Sequence, residues 1–132
     1  MADTLNEIVL IADELTGCVP PQVGLLKKVT VWGCIPPSIG RMAETLNEIV
    51  LIDDELTGCV PPQVGLLRKV TVFDVSGNHL QGPLPGSVAG LAAVEQLDVA
   101  GNLFEGPVPA TICSLQSLKN FTYEDNFFSS RP

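Results

Sequence analysis

A phrase of 24 residues recurs along this chain of 132 residues. Its pattern is L-x-x-L-x-L-x-x-N-x-L-x-G-x-I-P-x-x-L-G-x-L, and its copies open at Leu46, Val70, Val94 and Leu118. Apolar and polar residues alternate over the first positions, which predicts a half-buried strand. A glycine three residues before a proline follows, as in Gly82–Pro85, and predicts a tight bend. The repeat therefore predicts stacked units, none of which can bury its apolar face alone.

Repeats of this length and apolar spacing are typical of leucine-rich-repeat proteins. The predicted fold is a right-handed leucine-rich-repeat solenoid of the α/β horseshoe class, with plant-type repeats of 24 residues. We expect a parallel β-sheet on the concave face and mostly turns and 3-10 segments on the convex side. In the unit that opens at Val70, the spacing places Phe73 and Val75 in the core. The outward strand positions on the concave face are the expected ligand surface.

The ninth position of the repeat carries an amide in three units, at Asn78, Asn102 and Asn126. A buried amide can donate to and accept from backbone groups of its own unit and of its neighbour. Asp13 and Asp54 hold this position in the two earliest units. Because an ionised carboxylate accepts but cannot donate, we expect a weaker ladder at the amino end.

The amino-terminal half contains a duplication, since residues 2–32 recur as residues 43–73 with only four changes. Between the copies, the unit that opens at Val29 is cut short. It has a strand-like Val29–Trp32 and the end of a loop, without the positions between them. The chain is interpreted as one domain, residues 1–132, with a shortened irregular repeat at 29–45 and regular repeats over 46–132. We expect the solenoid to be disturbed before Leu46.

Composition and charge narrow the partners and the compartment. Asp and Glu outnumber Lys and Arg by 15 to 7, which disfavours nucleic acid and favours a basic partner. No apolar run is long enough for insertion into a membrane. The amino terminus lacks a secretory signal, so the chain as given is expected to be cytoplasmic. Four cysteines and the sequon Asn120-Phe121-Thr122 instead suit an extracellular protein, with Asn120 as the glycosylation site.

Acidic residues fall at outward positions of the predicted strands. Strands about 4.8 Å apart would bring them into one stripe that attracts a cationic peptide. The alternative is that these carboxylates only keep the surface soluble. The candidate ligand-binding residues are Glu48, Asp53, Asp74, Glu95, Asp98, Glu124 and Asp125.

Three of the four cysteines follow the glycine of a bend and so occupy one column, namely Cys18, Cys34 and Cys59. Cys34 and Cys59 lie in adjacent predicted coils, within reach of a disulfide bond. Cys18 is the duplicate of Cys59 and competes with it for Cys34. In a reducing compartment all of them would remain thiols.

No residue pattern indicates catalysis, a cofactor or a metal. His79 is the single histidine, and the motif positions no cysteine or serine nucleophile beside it. Zinc and calcium spacings are likewise missing from the sequence. The chain is therefore expected not to be an enzyme, and His79 is expected in a surface loop.

Much of the chain resembles one plant family, and the resemblance lies in three segments, Cys34–Leu46, Thr45–Pro85 and Ser117–Pro132. The family that these segments resemble is the leucine-rich-repeat extensins, also called cell wall hydroxyproline-rich glycoproteins. The resemblance implies a secreted, non-catalytic module of the plant cell wall that serves in wall organisation. It implies binding of small basic peptides, the rapid alkalinisation factors, with a receptor kinase or wall polymers as further partners. It also places the partner of Cys113 beyond Pro132. The alternatives are an inactive truncated fragment and an inhibitor of wall-degrading polygalacturonases, since those inhibitors have similar coils.

Overall fold

Parallel strands from successive coils build the molecule. The computed structural model describes residues 7–11, 34–35 and 37–131. Its strands are β1 (Glu7–Ile11), β2 (Glu48–Ile52), β3 (Val72–Asp74), β4 (Gln81–Pro83), β5 (Gln96–Asp98), β6 (Leu103–Pro107), β7 (Asn120–Thr122) and β8 (Phe127–Ser130). The main sheet has the order β1-β2-β3-β5-β7, and the second sheet has the order β4-β6-β8. All neighbours in both sheets are parallel.

Alternation along each strand of the main sheet separates a core face from an outer face. Phe73 and Leu97 are register partners and are both buried, whereas Asp74 and Asp98 follow them on the outer face. The predicted inward positions are confirmed as members of one continuous core: Leu51, Leu56, Phe73, Val75, Leu97 and Val99. Because each coil contributes the same apolar positions, stacking removes them all from water together.

Short 3-10 helices follow the bends, as the repeat pattern predicts. They cover Pro37–Met42, Pro62–Leu66, Gly86–Gly90 and Ala110–Ser114. The second sheet was not predicted. Strands β4 and β6 contain the Gly-Pro of the repeat. The N–H of Gln81 donates to the carbonyl of Gly58 one coil earlier. Backbone groups in these extended segments need partners, and the equivalent segment of the next coil supplies them.

The main sheet continues on the amino-terminal side of the shortened repeat, but with a different offset between paired residues. Strand β1 pairs directly with β2 along its whole length, so Glu7 lies beside Glu48, 41 positions later, rather than 24. The 3-10 helix Pro37–Met42 packs on the next one and buries Ile39 and Met42. The predicted strand Val29–Trp32 lies outside the described residues.

The predicted asparagine ladder is present. Asn78 Oδ1 accepts hydrogen bonds from the N–H groups of Asp54 and Leu56 in the preceding coil, at 2.9 and 3.0 Å. Its Nδ2 donates to the carbonyl of Leu51, also in the preceding coil, at 2.7 Å. The same arrangement recurs one coil later at Asn102. Each buried amide therefore joins two coils through both its donor and its acceptor.

Replacing Asp54 by asparagine is expected to stabilise the chain. Asp54 is fully buried at the ladder position, where an amide can donate to carbonyls of its own coil and an ionised carboxylate cannot. One added buried hydrogen bond should raise the free energy of unfolding by about 1 kcal/mol. Urea denaturation followed by circular dichroism measures this. The control Asp53→Asn, at an exposed neighbour, should change little, and an equal gain there would refute the explanation.

The predicted disulfide between Cys34 and Cys59 is wrong. Cys34 is disulfide-bonded, whereas Cys59 and Cys113 are free and exposed thiols. The side chain of Cys59 is directed at the following coil: a Cβ atom added to Gly82 would lie 2.8 Å from its Sγ. Side-chain direction, which column position alone does not give, thus turns Cys59 away from the coil of Cys34. The competing Cys18 lies outside the described residues.

Candidate binding face

The outer face of the main sheet presents its side chains in two columns. The first contains Glu48, Val72, Gln96 and Asn120, and the second contains Val50, Asp74, Asp98 and Thr122. Asp74 and Asp98 are therefore direct neighbours on strands about 4.8 Å apart. Two carboxylates at one register position give the centre of this face a negative potential.

The surroundings of Asp98 shift the pKa of its carboxyl group. Partial burial raises its pKa above the ordinary value of 3.8, and the nearby charges of Asp74 and Glu124 raise it further. A hydrogen bond from the N–H of Ala100 to Oδ1, at 3.0 Å, acts in the opposite direction. The carboxylate is thus held close to others of the same sign. A cation placed beside it would relieve that repulsion and favour the ionised form.

The acidic residues predicted from the sequence do not all share this environment. Asp74 and Glu124 are each close enough to Asp98 to interact with it electrostatically. Asp53 and Asp125 lie beyond the strand ends, exposed and with positive φ angles of 56° and 59°. We call Asp74, Asp98 and Glu124 the acidic cluster.

Glu95 and Glu48 stand apart from the acidic cluster. Glu95 forms an ion pair with Lys119 of the next coil, with 3.0 Å between Oε1 and Nζ. This pair was missed in the sequence, although the two residues are 24 positions apart, which is the spacing of stacked neighbours. Glu48 lies on β2 in the first column, with Val72 as its register partner. The carboxylate of Glu95 therefore already has a cationic partner.

A pocket of about 400 Å³ lies beside the acidic cluster on the last coil. Tyr123, Glu124, Phe128 and Arg131 are among the residues that line it. Its aromatic walls come from Tyr123, which stacks on Phe121, and from Phe128, which stacks on Phe104. An apolar or aliphatic side chain of a ligand would find both a hydrophobic wall and a carboxylate here.

The other candidate residues offer no sign of a reaction centre. His79 is exposed in the loop after Asn78, as expected. Across residues 34–35 and 37–131, no three His, Cys, Asp or Glu side chains converge as they would around a metal ion. The helices in the part of the chain described are 3-10 helices of five or six residues, too short to cross a membrane. What the outer face can do chemically is bind positive charge.

Comparisons with known proteins agree with this architecture. A family model for the leucine-rich repeat matches residues 69–91. No curated protein sequence matches the chain at a significant level. Among solved structures, the ectodomain of the receptor kinase GASSHO1/SCHENGEN3 from Arabidopsis thaliana, in complex with CASPARIAN STRIP INTEGRITY FACTOR 2, is 26% identical with a TM-score of 0.79. That match covers 91% of this chain and 15% of the receptor chain.

Two further solved structures are similar to this chain. PEPR1 in complex with AtPEP1 is 27% identical, with a TM-score of 0.76, over 96% of this chain and 19% of that one. A TDR receptor is 27% identical, with a TM-score of 0.81, over 93% and 22%. The chain thus spans less than a quarter of the length of these receptors. It has a leucine-rich-repeat fold whose stacked parallel strands match those of plant receptor ectodomains.

Proposed function

We propose that this chain is a non-catalytic binding module that takes a basic peptide on the outer face of its main sheet. The observation that carries the proposal is the register pairing of Asp74 with Asp98, whose pKa is raised by burial and by neighbouring carboxylates. Positive side chains of a peptide would lower the electrostatic energy of this pair. An extended peptide that crosses the sheet would meet Asp74 and Asp98 on two successive strands.

The similar structures support a peptide as the ligand class. Two of the receptors described above were solved in complex with CASPARIAN STRIP INTEGRITY FACTOR 2 and with AtPEP1. For this chain, the resemblance of Thr45–Pro85 to the extensin-linked repeats favours a rapid alkalinisation factor peptide and a role in the plant cell wall. The same resemblance favours secretion, with a receptor kinase or wall polymers as further partners.

Titration calorimetry with a basic rapid alkalinisation factor peptide tests this function. The double variant Asp74→Asn/Asp98→Asn removes both carboxylates without changing side-chain size. We expect Kd to rise about tenfold, since two partly exposed charge pairs of roughly 0.7 kcal/mol each add to about 1.4 kcal/mol. Binding of the unaltered chain should also weaken as salt is added, because the attraction is screened.

A matched double variant controls for net charge. Glu55 and Glu105 are exposed, and Glu105 lies on β6 of the second sheet. Glu55→Gln/Glu105→Gln also removes two negative charges, but from positions away from the outer face. It should leave Kd within about twofold of the unaltered chain. If both double variants weaken binding equally, the peptide responds only to net charge. If the unaltered chain releases no heat at low salt, the proposed function is wrong.

A further inference from the structure

The sequon residue Asn120 lies on the edge strand of the main sheet. Strand β7 is the last in the order β1-β2-β3-β5-β7, and the side chain of Asn120 is exposed. Its backbone is held in place, because its N–H donates to the carbonyl of Glu95 at 3.1 Å. A group attached to the Asn120 amide would therefore start from a fixed position on the sheet.

The alternation of β7 determines which way the sequon faces. Phe121 packs against the core and stacks on Tyr123 with 4.9 Å between ring centroids. Asn120 and Thr122, on either side of it, therefore share the outer face with Asp98. Thr122 is the register partner of Asp98. Asn120 lies one strand away from Asp98 and two residues away along the strand direction. Together these separations place the two Cα atoms on the order of 8 Å apart.

We propose that Asn120 is N-glycosylated when the chain passes through a secretory pathway, and that the glycan excludes basic peptides from the acidic cluster. An N-linked glycan is bulky, hydrated and longer than the distance from Asn120 to Asp98. It would cover the outer face at β5 and β7, where the peptide has to approach. This inference rests on the proposed function: within the secreted protein, only the molecules without a glycan at Asn120 would bind the peptide, so the occupancy of Asn120 sets the fraction that binds.

The test compares one chain in three forms. The unaltered chain and Asn120→Gln are each secreted from the same eukaryotic cells behind the same cleavable signal peptide, and the unaltered chain is also produced without glycosylation in bacteria. Mass spectrometry of the intact proteins reads occupancy, and calorimetry with the basic peptide reads affinity. We expect a glycan mass only on the secreted unaltered chain, together with at least a tenfold weaker affinity. Asn120→Gln should bind like the bacterial protein.

A second glycan position separates steric exclusion from a general effect of glycosylation. Glu55 is exposed in the loop after Asp54 and precedes Leu56 and Thr57. Glu55→Asn in the Asn120→Gln background therefore creates a sequon away from the outer face. We expect this variant to carry a glycan and to keep the affinity of Asn120→Gln.

The possible outcomes separately test the glycosylation of Asn120, the exclusion of the peptide by the glycan and the proposed function. A secreted chain without added mass shows that Asn120 is not a site, whatever the peptide does. Full occupancy with unchanged affinity overturns the exclusion, and so does an equal loss of affinity from the glycan of Glu55→Asn. If the bacterial protein binds no basic peptide, the proposed function and the exclusion are both wrong. The glycan mass on the secreted chain still shows whether Asn120 is glycosylated.

Discussion

Replacing Asn78 by alanine is expected to destabilise the fold by about 4 kcal/mol, because each buried backbone group left without a partner costs about 1–3 kcal/mol. The amide lies in the core at 3% exposure. Its loss removes the acceptor for the N–H groups of Asp54 and Leu56 and the donor to the carbonyl of Leu51. Since domains of this size have a total stability of about 5–15 kcal/mol, the variant should be near the limit of folding.

Urea denaturation and amide hydrogen exchange together measure the effect of Asn78→Ala. Exchange should accelerate at Leu56, whereas the N–H of Leu80 keeps its bond to Asn102 Oδ1 at 3.1 Å. Asn126→Ala is the matched control, because Asn126 is only partly buried in the last coil, and it should cost about 1–2 kcal/mol. Equal costs for Asn78→Ala and Asn126→Ala would contradict the dependence on burial.

Replacing Gly65 by alanine is expected to cost about 3 kcal/mol, at the upper end of the usual range for an overpacked site. A Cβ atom at this position would lie 2.2 Å from the carbonyl oxygen of Ser87 in the next coil. That oxygen belongs to the backbone, so a side-chain rotation cannot relieve the contact. Ser87 Oγ also donates to the carbonyl of Pro62 at 2.7 Å, which holds the two 3-10 helices together.

Gly86→Ala is the control for the propensity of alanine itself. A Cβ atom at Gly86 would meet no atom within 4 Å, although this residue also belongs to a 3-10 helix of the repeat. Its stability should change by less than about 1 kcal/mol, and a small gain is expected because alanine restricts the unfolded chain. Thermal unfolding monitored by circular dichroism compares the two variants. A Gly65→Ala melting temperature equal to that of Gly86→Ala would show that the coils separate at little cost.

The candidate site was visible in the sequence only as a set of charges. The repeat period assigns Asp74 and Asp98 to equivalent outward positions, so their pairing follows from the 24-residue spacing. The same spacing relates Glu95 to Lys119, but an ion pair depends on side-chain directions that the pattern does not contain. The raised pKa of Asp98 also depends on burial in the stacked coils. The structure therefore reduces the acidic stripe predicted from the sequence to the three residues of the acidic cluster.

The sequence by itself determined the coil. Its apolar spacing sets the strands, the ladder position and the bends, because each unit repeats the same local pattern and exposes the same face for burial. Only the tertiary structure decided what happens between coils. It joined β1 to β2 at an offset of 41 residues, turned Cys59 away from Cys34 and brought the backbone of Ser87 against Gly65. These contacts join residues distant in sequence, so they depend on how whole coils stack and on the direction of each side chain.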